Sequence, residues 1–418
     1  MTGEKMNFRA TWSMAVGGMV GGGIFSVLGV IIETAGQWAW LSFLIAGVIS
    51  LISAHSYSQL STKYSEGGGA FTFLREINHG GFAGSLSWIL ILGYILTMAV
   101  YAFTFGHYVA YVFNMGNWLP RVLALLIIAV LAGINLRGVG DASRLEVITV
   151  YGKVFVLIGL AAYGLVEWNP QQLTQGISPK PWHMAIIGAG TIFMAYEGFQ
   201  LLSYDYKDLK KPDKTLPKAT IWAVLAVIVI YILVSFGATM IVGAKKLIEH
   251  KEIALSIAGK EILGTTGLII VTIAAAFSTG SAINATLFST ARLMESVAEK
   301  KDLPHLFTKE NQHKIPFYAV LFIAAVAALL AMIGSLSKLV DAASIIFLFT
   351  FGVVNLIAYQ QEVKRNWLSL VGAICCGLAI IAAIWVHIQK MPYVIIALIT
   401  ISLLIFIFRP YLIKKIRQ

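Results

Sequence analysis

The sequence predicts an all-α membrane protein of about 12 transmembrane helices, built as a five-plus-five inverted repeat with discontinuous helices 1 and 6. Three observations carry that prediction. Hydrophobic residues make up 58% of the 418 and charged ones only 12%, against about 25% charged in a soluble domain. Apolar stretches long enough to cross a bilayer recur along the whole chain. Glycine-rich interruptions fall in the first and the sixth of them.

The charge deficit excludes a single soluble core, since even large soluble proteins need a polar shell. The formal charge of +11 is accounted for by Lys and Arg in loops on one side of a membrane, so no nucleic-acid partner is expected. Cys375 and Cys376 stand adjacent in an apolar run. They offer neither a disulfide framework nor a metal-ligand spacing, and read as packing residues. The polar start carries Lys5 and Arg9 and leads into a long apolar stretch with no evident cleavage site, which reads as an uncleaved first span.

Crossing about 30 Å of hydrocarbon takes roughly 20 residues. Such stretches lie at 10–33, 38–60, 82–113, 119–136, 145–166 and 184–204, then at 217–243, 264–297, 316–334, 338–360, 366–388 and 391–412. The longest polar connectors, 61–81, 205–216, 244–263 and 298–315, are too short for a soluble domain with its own core. With the N-terminus inside, 22 of the 31 Lys and Arg fall in inner connectors and 8 in outer ones, with Lys153 inside a span. That asymmetry places both termini in the cytoplasm of a multi-pass protein of the cell (inner) membrane.

Span 1 contains Gly17-Gly18-Met19-Val20-Gly21-Gly22-Gly23-Ile24-Phe25; span 6 contains Gly188-Ala189-Gly190 and then Phe193-Met194-Ala195-Tyr196-Glu197-Gly198-Phe199. Each interior Gly costs about 1 kcal/mol of helix propensity. Close packing of helices through small residues is one use for them; three in succession favour a local break. Interruptions at the first and sixth spans are the spacing of two five-helix repeats: 1–166 for helices 1–5, 184–360 for helices 6–10, and two extra helices in 366–412. Non-helical backbone at membrane depth survives only where it lines a cavity or is buried in protein. Freed N–H groups suit a carboxylate and freed carbonyls an ammonium. A site offering both suits a zwitterion, of which an α-amino acid is the simplest.

Three stretches resemble the amino acid–polyamine–organocation superfamily of permeases. Gly21-Gly22-Gly23-Ile24-Phe25 is similar to the family's first-span motif, with Gly22 in the slot where a Ser side chain adds a donor. Phe193 to Phe199, followed by Lys210-Lys211-Pro212 and Leu216-Pro217, is similar to its sixth span. Ser281-Ala282-Ile283-Asn284-Ala285-Thr286, running to Ala291-Arg292 and Leu303-Pro304, is similar to its eighth. The resemblance spans essentially the whole chain. It implies a secondary transporter of amino acids working by alternating access, with no cofactor and no metal. Substrate binding is carried by it to Met19, Gly21, Gly22 and Gly23 for the carboxylate, and to Met194, Ala195, Glu197 and Gly198 for the amino group. Lys207 stands where the family commonly has the first of two acids, while Asp208 keeps the second.

Ionisable residues inside a span are functional candidates by default. Lys153 lies about eight residues into span 5, roughly 12 Å deep, which makes snorkelling to the interface awkward. It resembles the span-5 lysine of proton-coupled family members, which implies proton coupling with Ser278 and Thr279 as neighbours. Glu197 has three readings: it titrates during transport, it favours a cationic substrate side chain, or loose backbone N–H groups satisfy it. His55 and His107 read as satisfied core histidines before proton relays, and Tyr101, Tyr108 and Tyr111 as packing. No His-Glu-x-x-His and no P-loop is present, so an enzyme is not expected. Obligate exchange, polyamine transport, and a channel or membrane sensor are the other readings that the sequence leaves open.

Overall fold

A computed structural model of the chain describes residues 5–65, 69–77, 80–113, 115–138, 143–390 and 392–417. Among them there is no strand, only two isolated bridges, Met6 with Leu209 and Glu310 with Pro316. The helices are α1 (Phe8–Ala35), α2 (Ala39–Tyr64), α3 (Gly69–Glu76), α4 (Gly80–Phe113), α5 (Leu119–Leu136), α6 (Ser143–Val166) and α7 (Met184–Thr191). A 3-10 segment, Phe193–Ser203, continues α7. Then follow α8 (Pro212–Val242), α9 (Ala244–Glu249), α10 (Ala254–Glu299), α11 (Phe317–Ile333), α12 (Leu336–Gln360), α13 (Asn366–Lys390) and α14 (Pro392–Arg417).

Among the described residues, twelve apolar helical stretches match the expected spans, two of them shorter than a full crossing. α1 and α2 form one 57-residue apolar stretch, α4, α5, α6, α8, α10, α12 and α13 each carry a window long and apolar enough to cross, and α7 crosses together with its 3-10 continuation. The shorter apolar runs Phe317–Ile333 and Ile396–Ile407 complete the set. α10 is two helices joined at Leu263 and Gly264, where Gly264 takes φ 59°. Only the part after that break is a span, in keeping with the boundary at 264 read from the sequence.

α1 is the axis of the molecule. Every residue from Met19 to Ile32 is buried, as expected of a helix apolar on all sides. It packs against α8, α10, α6 and the 3-10 segment. Its start is fixed by Asn7, whose Oδ1 accepts from the Ala10 N–H at 3.0 Å, satisfying one of the free donors of the first turn. The outer helices instead expose apolar side chains such as Leu126, Val130, Phe155, Ile158, Ile381 and Trp385, the composition of a face that meets lipid.

Span 1, expected to be interrupted at Gly21–Gly23, runs as one continuous helix. The physical reason is that its glycines make room for neighbours. A Cβ on Gly21 would stand 2.8 Å from Ala282 Cβ, one on Gly22 would lie 1.9 Å from the Tyr101 ring, and one on Gly23 would lie 2.9 Å from the Ala195 carbonyl oxygen. Span 6 does break. α7 ends at Thr191, Ile192 takes φ −99° and ψ 9°, and the 3-10 segment leaves at 44° to α7.

Candidate functional site

The break in span 6 frees a carbonyl and an N–H at membrane depth, where each costs free energy unless paired. Ser344 of α12 pairs both. Its Oγ donates to the Thr191 carbonyl and accepts from the Met194 N–H at 3.1 Å. One hydroxyl can do this because it holds one donor and two lone pairs. The sequence reading did not find Ser344; its only local signal was a polar residue in an apolar span.

Beyond the break the 3-10 segment crosses α1 backbone to backbone. A Cβ on Gly198 would stand 2.3 Å from Gly18 C and 2.5 Å from Met19 N. At the same level Tyr231 of α8 ties the two strands of chain together. Its hydroxyl lies 2.7 Å from the Met19 carbonyl and 3.0 Å from the Ala195 carbonyl, so one proton is shared between them. The resemblance assigned substrate contacts to Met19, Gly21, Gly22, Gly23, Met194, Ala195, Glu197 and Gly198. Of these, Met19 meets Gly198 and Gly23 meets Ala195 at the crossing, whereas Gly21 packs on Ala282 and Ser278 of α10 and Gly22 on Tyr101 of α4. The structure also fills these positions: the carbonyls of Met19 and Ala195 face Tyr231, the Met194 N–H is held by Ser344, and Tyr101 covers Gly22.

Lys153 turns inward from α6. It is 3% exposed, and its Nζ donates to the Gly17 carbonyl at 3.1 Å, one turn before the glycine run. Ser278 of α10 donates to the Val20 carbonyl at 3.1 Å. Two expected partners of the coupling region thus meet α1 three residues apart. The third does not: Thr279 bonds back to its own helix at Ala275, 2.7 Å, a habit of Thr inside helices.

Glu197 is 1% exposed. Gln200 and Tyr101 are polar side chains beside its carboxylate. Its Oε2 has no hydrogen-bond partner among the described residues. Glu197 and Gln200 stand at i and i+3 of a 3-10 segment, where side chains eclipse; Tyr57 fixes the Gln200 amide by donating to its Oε1 at 3.0 Å. Tyr101, read as packing, both packs on Gly22 and faces Glu197. Tyr108 donates to the Phe25 carbonyl at 3.1 Å. His107 Nδ1 lies 2.8 Å from the Phe103 carbonyl and His55 Nε2 2.8 Å from that of Lys364, as satisfied histidines do.

The two faces of the bundle differ. On the face away from Met6, Lys251 closes over α1. Its backbone fills the space beside Gly29, and its Nζ pairs with Glu33 at 2.8 Å. On the face that carries Met6, Asp208 and Asp302, a cavity of about 450 Å³ is lined by Phe71, Thr72, Arg75, Tyr204, Phe288 and Arg292 among others. Tyr204, which also lines it, meets Tyr94 hydroxyl to hydroxyl at 3.4 Å. The Lys251–Glu33 pair thus sits at one end of α1, and the cavity lies on the face of its other end.

A helical membrane protein with its sixth span broken at mid-depth against a buried first span is the class these features define. The solved structure of MhsT in complex with L-phenylalanine shares the fold, with a TM-score of 0.65, 14% identity, and coverage of 89% of this chain and 98% of that one. The chain belongs to the amino acid permease family, whose model matches residues 6–410. It is 29% identical over 353 residues to the inner membrane transport protein YbaT of Escherichia coli, covering 83% of this chain and 81% of that one. It is 27% identical over 368 residues to the serine/threonine exchanger SteT of Bacillus subtilis, covering 84% and 82%.

Proposed function

We propose that the chain is a secondary active transporter that carries an amino acid by alternating access and couples it to protons. The observation that carries this reading is the crossing of the broken span 6 with α1, with the Lys251–Glu33 pair at one end of α1 and a cavity on the face of its other end. The substrate carboxylate is bound by backbone at Met19, Gly21, Gly22 and Gly23, and its amino group near Met194, Ala195, Glu197 and Gly198. Binding requires Tyr101 and Tyr231 to yield, and α1 to open locally where three glycines weaken it. The repeats are 1–166 and 184–360, with 366–412 added. The cavity faces the cytoplasm of the cell, where both termini lie, and the protein sits in the inner membrane.

Lys153 is the proposed coupling residue. Its ammonium holds a carbonyl of α1 in a site with little exposure, so its protonation state and the conformation of α1 are linked. Glu197 is the second candidate. The test is uptake of labelled amino acids into proteoliposomes, with and without an inward proton gradient and with and without preloaded amino acid. Saturable uptake driven by the gradient, and no longer gradient-dependent in Lys153→Ala, is the expected result. Gradient-driven uptake that persists in Lys153→Ala removes the coupling role. Uptake only after preloading means obligate exchange, the second reading, which the similarity to an exchanger favours. No saturable uptake of any amino acid or polyamine returns the channel and sensor readings.

A further inference from the structure

The transport reading leaves unused a buried ion cluster on the cavity face. Asp302 follows the end of α10 and is 4% exposed. Its backbone is fixed by a Schellman closure: the Lys301 N–H donates to the Ala298 carbonyl at 2.9 Å and the Asp302 N–H to that of Val297 at 3.0 Å. Trp88 of α4 donates its indole N–H to the Asp302 carbonyl at 2.8 Å. The carboxylate thus stands at a set position between α10 and α4, with its two oxygens divided between two arginines.

Arg409 of α14, itself 4% exposed, donates through Nη2 to Asp302 Oδ1 and through Nη1 to the Gly81 carbonyl at 2.7 Å. Its guanidinium lies where a side chain at Gly84 would be; a Cβ there would stand 1.7 Å from Nη2. Arg75 of α3 donates through Nη1 to Asp302 Oδ2 at 3.0 Å. Its side chain is 35% exposed, and it lines the cavity together with Phe71 and Thr72. The opposite wall is α10, through Phe288, Ser289 and Arg292. One carboxylate therefore joins Arg409 of α14 to Arg75 of α3, which lines the cavity.

We propose that Asp302 and Arg409 are positioning residues of the gate on this face, and that α14 holds the mouth open through them. Arg409 orients the carboxylate, the carboxylate holds Arg75, and Arg75 keeps α3 at its present distance from α10. A contact shifts a conformational equilibrium only if it differs between the states. The Arg75–Asp302 pair is the differential one, since closing the mouth moves α3 against α10. The Arg409–Asp302 pair is internal to the end of α10, α4 and α14, and it persists. The inference rests on alternating access.

The experiment reads the mouth directly, without transport. Ser289→Cys is made in a Cys375→Ala, Cys376→Ala background, and labelling by a membrane-impermeant maleimide is timed in vesicles exposing the cavity face. Arg75→Gln and Arg409→Gln are each expected to slow labelling by about threefold, the size of shift from losing one partly exposed charge pair in one of two states. The double variant is expected to slow it no further, because both act through one carboxylate. Arg409→Lys, which keeps the charge, is expected to label more nearly as the parent. Additive slowing, or unchanged labelling in Arg75→Gln and Arg409→Gln, overturns the relay. If Arg409→Gln does not fold, Asp302→Asn replaces it in the same cycle. A labelling rate that responds to added amino acid but not to these variants sinks the clamp alone. A rate that responds to neither amino acid nor variant refutes the clamp along with the alternating-access reading beneath it.

Discussion

Replacing Gly198 by Ala tests the crossing at the centre of the molecule. The added methyl would stand 2.3 Å from Gly18 C, 2.5 Å from Met19 N and 2.7 Å from Gly18 O, where ordinary contact begins at 3.4 Å. All three are backbone atoms of a buried helix, so no rotamer change relieves the overlap. α1 and the 3-10 segment must separate by about an ångström, and overpacking of this kind costs about 1–3 kcal/mol. The separation also pulls Met19 and Ala195 away from the hydroxyl that joins them. Gly159→Ala is the control, since a Cβ there meets nothing within 4 Å and helix propensity favours the change by about 1 kcal/mol. Gly22→Ala overpacks as well, since its Cβ would stand 1.9 Å from Cδ1 and 2.6 Å from Cγ of the buried Tyr101 ring. The assay is reversible unfolding in mixed micelles, with uptake measured on the same preparations. Gly198→Ala unfolding at the same denaturant as Gly159→Ala would refute the claim that backbone contact holds the crossing.

Two further outcomes follow from the same geometry. Ser344→Ala removes the hydroxyl that the Thr191 carbonyl and the Met194 N–H share at the break, and should cost about 1–3 kcal/mol in the same unfolding assay; no loss of stability would mean that another group, or water, already serves them. Glu197→Gln removes the titratable carboxyl but keeps the shape beside Gln200 and Tyr101. It is expected to alter the pH dependence of uptake or the preference between cationic and neutral substrates, and a variant unchanged in both ends its active roles.

The twelve spans were legible because hydropathy needs no knowledge of partners, and the depth of Lys153 followed from counting residues along a helix. The break in span 6 was legible too, though not its exact residue. It falls at Ile192, between Gly188-Ala189-Gly190 and Phe193, where it is held by Ser344, far along the chain on α12. The glycine run of span 1 carries two meanings that a sequence cannot separate. A helix weakened by Gly21, Gly22 and Gly23 and a helix approached closely by Tyr101, Tyr231 and Ala282 need the same residues. Asp302 and Arg409 were illegible for a related reason. In a count of loop charges Arg409 is one more inside cation, and only the folded chain shows it buried against Gly84.

Tyr231 separates two ways in which the filled site could work. Its hydroxyl holds the Met19 and Ala195 carbonyls in the state seen here. On the proposed reading an incoming ammonium takes the Ala195 carbonyl, so the hydroxyl is a competitor that substrate must displace. A hydrogen bond of this kind contributes about 0.5–1.5 kcal/mol net. Tyr231→Phe frees the carbonyls while keeping the ring against Phe43 and Tyr196. Substrate then no longer has to overcome that bond, and KM for saturable uptake should fall by about threefold to tenfold, since 1.4 kcal/mol corresponds to a factor of ten. If the hydroxyl instead moves with the substrate and bonds it, the same change removes a binding contact, and KM rises. A rise in KM at unchanged maximal rate would therefore refute the competition and make Tyr231 part of the bound state.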